Sequence, residues 1–111
     1  APMVRGIHAT ITGKIRGNLN ESELRQAYEK QYANSPFVNI LANGQQPKTA
    51  SVLGSNFVQM QTIIDTHTNR VVTTVVIDNL VKGAAGQALQ NANLMFGLPA
   101  TTGLSKIGIA P

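Results

Sequence analysis

The chain has no cysteine and no tryptophan, and its 111 residues include only three phenylalanines and two tyrosines. Without a thiol there can be no disulfide, no cysteine-ligated metal and no thiolate nucleophile within the chain. No apolar run approaches the roughly 18 residues that a membrane helix needs. The opening Ala1-Pro2-Met3-Val4-Arg5 lacks the apolar core of a signal peptide. Charge is scarce too, at 13% of residues, and Lys plus Arg exceed Asp plus Glu by 9 to 5, for a net charge of +4. The basic residues, from Arg5 through Lys14, Arg25, Lys48 and Arg70 to Lys106, are scattered. A nucleic-acid surface needs a basic stripe or stacking aromatics, and neither is present, so no nucleic-acid partner is expected. The two histidines, His8 and His67, have no ligand-like spacing to each other or to an acidic cluster, so no metal site is expected.

What is present reads as one globular domain, since 42% of the residues are hydrophobic. Residues 7–15 alternate apolar and polar, which predicts a half-buried strand with Ile7, Ala9, Ile11 and Ile15 toward the core. His8 then falls on the polar face of that strand, with no catalytic role expected. Asn20-Glu21-Ser22-Glu23 carries the pattern of a capped helix start. Leu24, Ala27, Tyr28 and Tyr32 recur three or four apart and predict a helix to about Tyr32. Four further β segments are expected, over residues 37–41, 49–53, 57–65 and 70–77, with a hairpin loop at 65–69 that carries His67. A last helix is predicted over 83–97, with Gly97 as its stop and Pro99 forbidding continuation. Ile107 and Ile109 are possible anchors for the irregular tail. The fold class is therefore α+β, a mostly antiparallel mixed sheet with helices on one side. Val71, Val72, Val75 and Val76 put apolar side chains on both faces of the last strand, which suggests a sheet covered twice.

Three segments together carry a resemblance. They are Pro2-Met3-Val4-Arg5-Gly6-Ile7-His8-Ala9-Thr10, the turn Gly54-Ser55-Asn56, and Ile77-Asp78-Asn79-Leu80-Val81-Lys82-Gly83-Ala84-Ala85-Gly86-Gln87-Ala88 with its continuation to Gly97-Leu98-Pro99. With the tail from Gly103 to Pro111, they resemble the C-terminal portion of the N-acetyl-γ-glutamyl-phosphate reductases. Those enzymes are semialdehyde dehydrogenases whose C-terminal domain resembles that of glyceraldehyde-3-phosphate dehydrogenase. The resemblance implies a part in arginine biosynthesis, the NADPH-dependent reduction of N-acetyl-γ-glutamyl phosphate to N-acetylglutamate semialdehyde and phosphate. In that family the thiolate, the dinucleotide fingerprint and the acid/base histidine lie upstream of the segment matched here. No catalytic residue is therefore expected in this chain, which alone should be inactive.

The resemblance also implies what the chain contributes. Arg5, Ser55 and Asn56 are candidates for binding a small phosphorylated substrate. Asn79 matches a position near the nicotinamide amide in related dehydrogenases, and Lys82 with Gly83, at the expected helix start, is a candidate for the cofactor NADP(H). Each has a plainer reading: Arg5 as a surface or interface residue, Ser55 and Asn56 as a turn, Asn79 as a cap, and Gly83 and Gly86 as aids to close packing. The implied partners are the rest of the same enzyme, with helix 83–97 packing toward its nucleotide domain, and further copies through the sheet. A cytoplasmic setting is implied, or an organelle in a eukaryote. The competing reading is a stand-alone, non-catalytic oligomerisation module.

Overall fold

A computed structural model describes residues 2–109. The strands are β1 (Ile7–Lys14), β2 (Val38–Ile40), β3 (Val58–Asp65) and β4 (Arg70–Ile77), and the helices are α1 (Glu21–Tyr32) and α2 (Gly86–Met95). They form an α+β fold around one four-stranded sheet in the order β1-β4-β3-β2. β4 is antiparallel to both neighbours, while β2 runs parallel to β3, so the sheet is mixed. The parallel pair follows from the long connection between β2 and β3, residues 41–57, which carries the chain back along the sheet before β3 begins.

Local chemistry sets the element ends. Asn20 caps α1: its Oδ1 accepts from the Glu23 N–H at 2.9 Å, and Glu23 Oε2 accepts from the Asn20 N–H at 3.0 Å. In the β3–β4 hairpin Asp65 accepts from the His67 N–H, and Asn69 takes a left-handed φ of 51°. Gly97, at φ 69°, ends the helical segment as expected.

α1 lies over β3 and β2. Its Leu24 is buried, and the Tyr28 hydroxyl reaches Thr73 Oγ1 at 2.9 Å, which in turn lies 3.1 Å from Thr62 Oγ1. Register places Ile7, Ala9 and Ile11 of β1 on the same face as Thr73 and Met60. Ile7 and Ile11 nevertheless stay 45% and 56% exposed, against the expectation of a core face. The reason is positional: α1 covers the β2–β3 side of the sheet, and β1 lies at the opposite edge.

Residues 49–53 differ from the expected strand. Thr49–Val52 is a 3-10 turn that packs over β4. It buries Val52 completely, as Val76 is buried on that side of β4. The alternating pattern was too short there to specify a strand, and no neighbouring strand offers it a ladder. The last helix also begins differently. Val81–Ala85 is a π-helical turn that leads into α2, and no side chain caps α2 itself. Leu89, Leu94, Met95 and Phe96 along α2 and its end are exposed. The tail returns to the 3-10 turn. The Ile109 N–H donates to the Leu53 carbonyl at 2.8 Å, while Ile107 is exposed and anchors nothing.

Candidate functional site

The C-terminal end of β4 gathers three distant segments, and Asp78 is what joins them. Its carboxylate is fully buried. Oδ1 accepts from the N–H groups of Leu80 at 2.8 Å and Val81 at 2.9 Å, and Oδ2 accepts from the Gly54 N–H at 2.7 Å. Arg5 Nη2 straddles both oxygens, at 3.2 Å from Oδ1 and 2.9 Å from Oδ2. Burial alone would raise the carboxyl's pKa, but the N–H groups of Gly54, Val81 and Leu80, with Arg5, hold it down to about 2. The segment before β1, the 54–56 turn and the start of the π-helical turn are thus tied to one anion.

Asn79 extends the same joint. Its Oδ1 accepts from the Gly6 N–H at 2.7 Å, which fixes the backbone beside Arg5. The Gly83 N–H donates to the Asp78 carbonyl at 2.8 Å and so closes the π-helical turn. The N–H groups of Leu80, Val81 and Gly83 are therefore committed to Asp78. The Lys82 ammonium, at the same turn, is a charged group able to meet a ligand.

A second cluster adjoins the first through the 54–56 turn. Gly54 has φ 69°, a conformation that suits glycine, and the Ile109 side chain packs where a Cβ would project. Ser55 is fully buried and uses its hydroxyl within the turn, donating to the Val52 carbonyl at 2.8 Å. Asn56, also fully buried, donates from Nδ2 to Gln90 Oε1 at 2.8 Å. Lys82 Nζ donates to the same oxygen at 2.8 Å and stands 5.6 Å from the centroid of the buried Phe37 ring. Desolvation lowers the lysine's pKa. Asn56 Oδ1 has no hydrogen-bond partner among the described residues. A Cβ on Gly86 would stand 2.5 Å from that oxygen and 2.8 Å from the Val81 carbonyl, so only glycine fits where α2 begins.

The six residues singled out from the sequence, Arg5, Ser55, Asn56, Asn79, Lys82 and Gly83, therefore meet at one end of the sheet. Two of the connecting residues were not singled out. Asp78 carried a signal, an acidic residue between a strand and a helix, but that signal reads as a cap. Gln90 carried none, because nothing in a mid-helix glutamine announces a partner eight residues back.

Residues 1–79 match the family model for the semialdehyde dehydrogenase dimerisation domain. The chain belongs to that family. Within this dimerisation domain the matched stretch holds Arg5, Gly54, Ser55, Asn56, Asp78 and Asn79, while Lys82, Gly86 and Gln90 lie just beyond it. Relatives similar to the whole chain are named N-acetyl-γ-glutamyl-phosphate reductase. The one from Streptomyces avermitilis is 52% identical over 111 residues, which are 100% of this chain and 32% of the relative. Those from Lachnoclostridium phytofermentans and Micrococcus luteus are 46% and 45% identical, over 99% and 100% of this chain and again 32% of each relative. The chain thus spans about a third of the length of the curated relatives it matches.

Proposed function

We propose that this chain is the C-terminal part of an N-acetyl-γ-glutamyl-phosphate reductase. The observation that carries the reading is its identity of about half, over all 111 residues, with a reductase of that name. In this reading the chain supplies substrate contacts, cofactor contacts and a subunit interface, while the nucleophile comes from outside it. The absence of cysteine supports that division of labour.

Arg5, Ser55 and Asn56 are the substrate-side residues of the proposal. The Arg5 guanidinium already grips a carboxylate, that of Asp78, so Asp78 fixes its plane. Its Nη1 makes no hydrogen bond to the described residues and is the donor left for a second anion, while Nε is buried without a partner among them. Ser55 and Asn56 shape the turn beside it. On the cofactor side, the Asn79 oxygen accepts from Gly6, while its Nδ2 makes no hydrogen bond to the described residues. It can therefore donate to a carboxamide oxygen of NADP(H), and its own oxygen keeps one lone pair for a second donor. Lys82 offers charge, and Gly83 lets the turn pack closely on the Asp78 carbonyl, 3.3 Å from where its Cβ would stand. When bound, the nucleotide would supply hydride. The residues of this chain hold and orient.

The exposed apolar residues of α2 and its end support packing of the 83–97 segment toward the remainder of the same enzyme. The exposed Ile63, on the sheet face opposite α1, supports association of copies through the sheet. A soluble, cytoplasmic or organellar enzyme fits a chain in which no helix of the described residues is long and apolar enough to cross a membrane.

A chimera tests the reading. The upstream two thirds of the Streptomyces avermitilis reductase would be joined to this chain and expressed in a bacterial arginine auxotroph that lacks the reductase. Growth without arginine is expected. A soluble, folded chimera that fails to restore growth would contradict the proposal and favour a non-catalytic oligomerisation module.

A further inference from the structure

Lys82 is a half-buried cation with no carboxylate beside it. The ion pairs among the described residues are Arg5–Asp78 and Arg25–Glu29. Of the other acids, Glu21 and Glu23 serve the first turn of α1 and Asp65 the hairpin. An ammonium carries three donors, and here one of them reaches Gln90 Oε1. A desolvated charge with unused donors is costly unless something meets it.

The surroundings suit a ligand. Lys82 and Gln90 line a recess of about 260 Å³ whose other walls include Ser35, Phe37, Val38 and Leu94. No acidic residue lines it. Ser35 also lines the recess, and its hydroxyl makes no hydrogen bond to the described residues. The ammonium is also held in place. A lysine can only donate, so Gln90 must turn its oxygen toward Lys82, and Asn56 must then present its NH₂ to that same oxygen. The Phe37 ring, edge-on to Phe57 at 5.9 Å, is a fixed floor 5.6 Å from the charge.

We propose that Lys82, oriented by Gln90 and backed by Phe37, forms with Ser35 a binding site for a phosphate group. The committed N–H groups at the π-helical turn play no part in it. The phosphate is either a free ion or the phosphoryl group of a nucleotide. The inference rests on the proposed reductase reading only for that choice of source. The lowered pKa of Lys82 fits the vacant charge, and a bound anion raises it again.

The test is isothermal titration calorimetry of the chain with inorganic phosphate, against chloride at matched ionic strength. Circular dichroism of each variant verifies its fold. Phosphate should bind with a measurable Kd and chloride should not. Lys82→Met should weaken binding at least about tenfold, since it removes a charge-assisted hydrogen bond. Gln90→Glu should weaken it comparably, because it gives Lys82 a resident carboxylate at the 2.8 Å position now held by the amide oxygen. If Lys82→Met fails to fold, Gln90→Glu carries the comparison alone. Competition by NADP assigns the site to a nucleotide phosphate, and binding untouched by NADP assigns it to the free ion. Phosphate that binds no better than chloride, or equally well to the folded variants, overturns the proposal. The readout needs no turnover, so an inactive assembled enzyme would count against the reductase reading and leave this site standing.

Discussion

Replacing Asp78 by asparagine should be the most damaging single-atom change in this chain. The substitution keeps the shape and leaves one oxygen for the N–H groups of Leu80 and Val81. It turns the other oxygen into an NH₂ aimed at the Gly54 N–H, 2.7 Å away, and at Arg5 Nη2, 2.9 Å away. Donor then faces donor. One buried N–H loses its acceptor, and the guanidinium loses its counter-ion. Breaking a buried pair by removing one partner costs about 3–5 kcal/mol, which in a domain of this size lowers Tm by roughly 13–20 °C. The charge itself has a separate signature. Asp78 titrates near 2 in the folded chain instead of 3.8, so its ionisation contributes about 2 kcal/mol at neutral pH. A depressed carboxylate pKa contributes fully above the unfolded value and is lost as pH falls through the folded one. Urea unfolding from pH 6 down to pH 2 should therefore show a decline in the native chain that is about 2 kcal/mol shallower in Asp78→Asn. Arg5→Met should cost less than Asp78→Asn, because the three backbone N–H groups still hold the anion. An Asp78→Asn chain within about 0.5 kcal/mol of the native one, the usual range for inert surface changes, or one with an undiminished acid decline, would refute the reasoning.

Other perturbations have equally definite outcomes. Gly86→Ala should destabilise by about 1–3 kcal/mol in thermal or urea unfolding despite alanine's better helix propensity, since its Cβ would sit 2.5 Å from Asn56 Oδ1. A neutral or stabilising result would mean that α2 is free to shift. Asn20→Ala removes the capping box of α1 and should cost about 1 kcal/mol in the same assay. Tyr28→Phe removes the hydroxyl that joins α1 to Thr73 and should cost about 1 kcal/mol, with no change if water replaces that bond equally well.

Much of the fold was legible because local signals agreed. The period-two runs gave β3 and β4 nearly residue for residue, Asn20 with Glu23 gave the start of α1, and Gly97 with Pro99 gave the helical stop. Residues 49–53 misled because five residues of mixed character suit a tight turn as well as a strand. The exposure of Ile7 and Ile11 was invisible, because periodicity shows which face is apolar but not what covers it. The candidate site was legible as a set of segments and not as a set of contacts. Arg5 and Asp78 are 73 positions apart, and no spacing rule pairs them. The start of α2 was obscured for a related reason. Asp78 accepts from Leu80, Val81 and Gly83 at a π-helical turn that begins three residues downstream, so Lys82-Gly83 resembles a helix N-terminus that in fact starts earlier.

In the proposed function, this chain completes a reductase site whose nucleophile lies elsewhere. The most direct measurement is the reverse reaction, phosphate-dependent reduction of NADP by N-acetylglutamate semialdehyde. It would be run on the chain alone and on the chain mixed with the separately expressed upstream two thirds of the Streptomyces avermitilis reductase. Activity in the mixture and none in the lone chain is the predicted result. Activity in the lone chain, which has no cysteine to form a thioester, or none in a well-folded complex of the two parts, would contradict it.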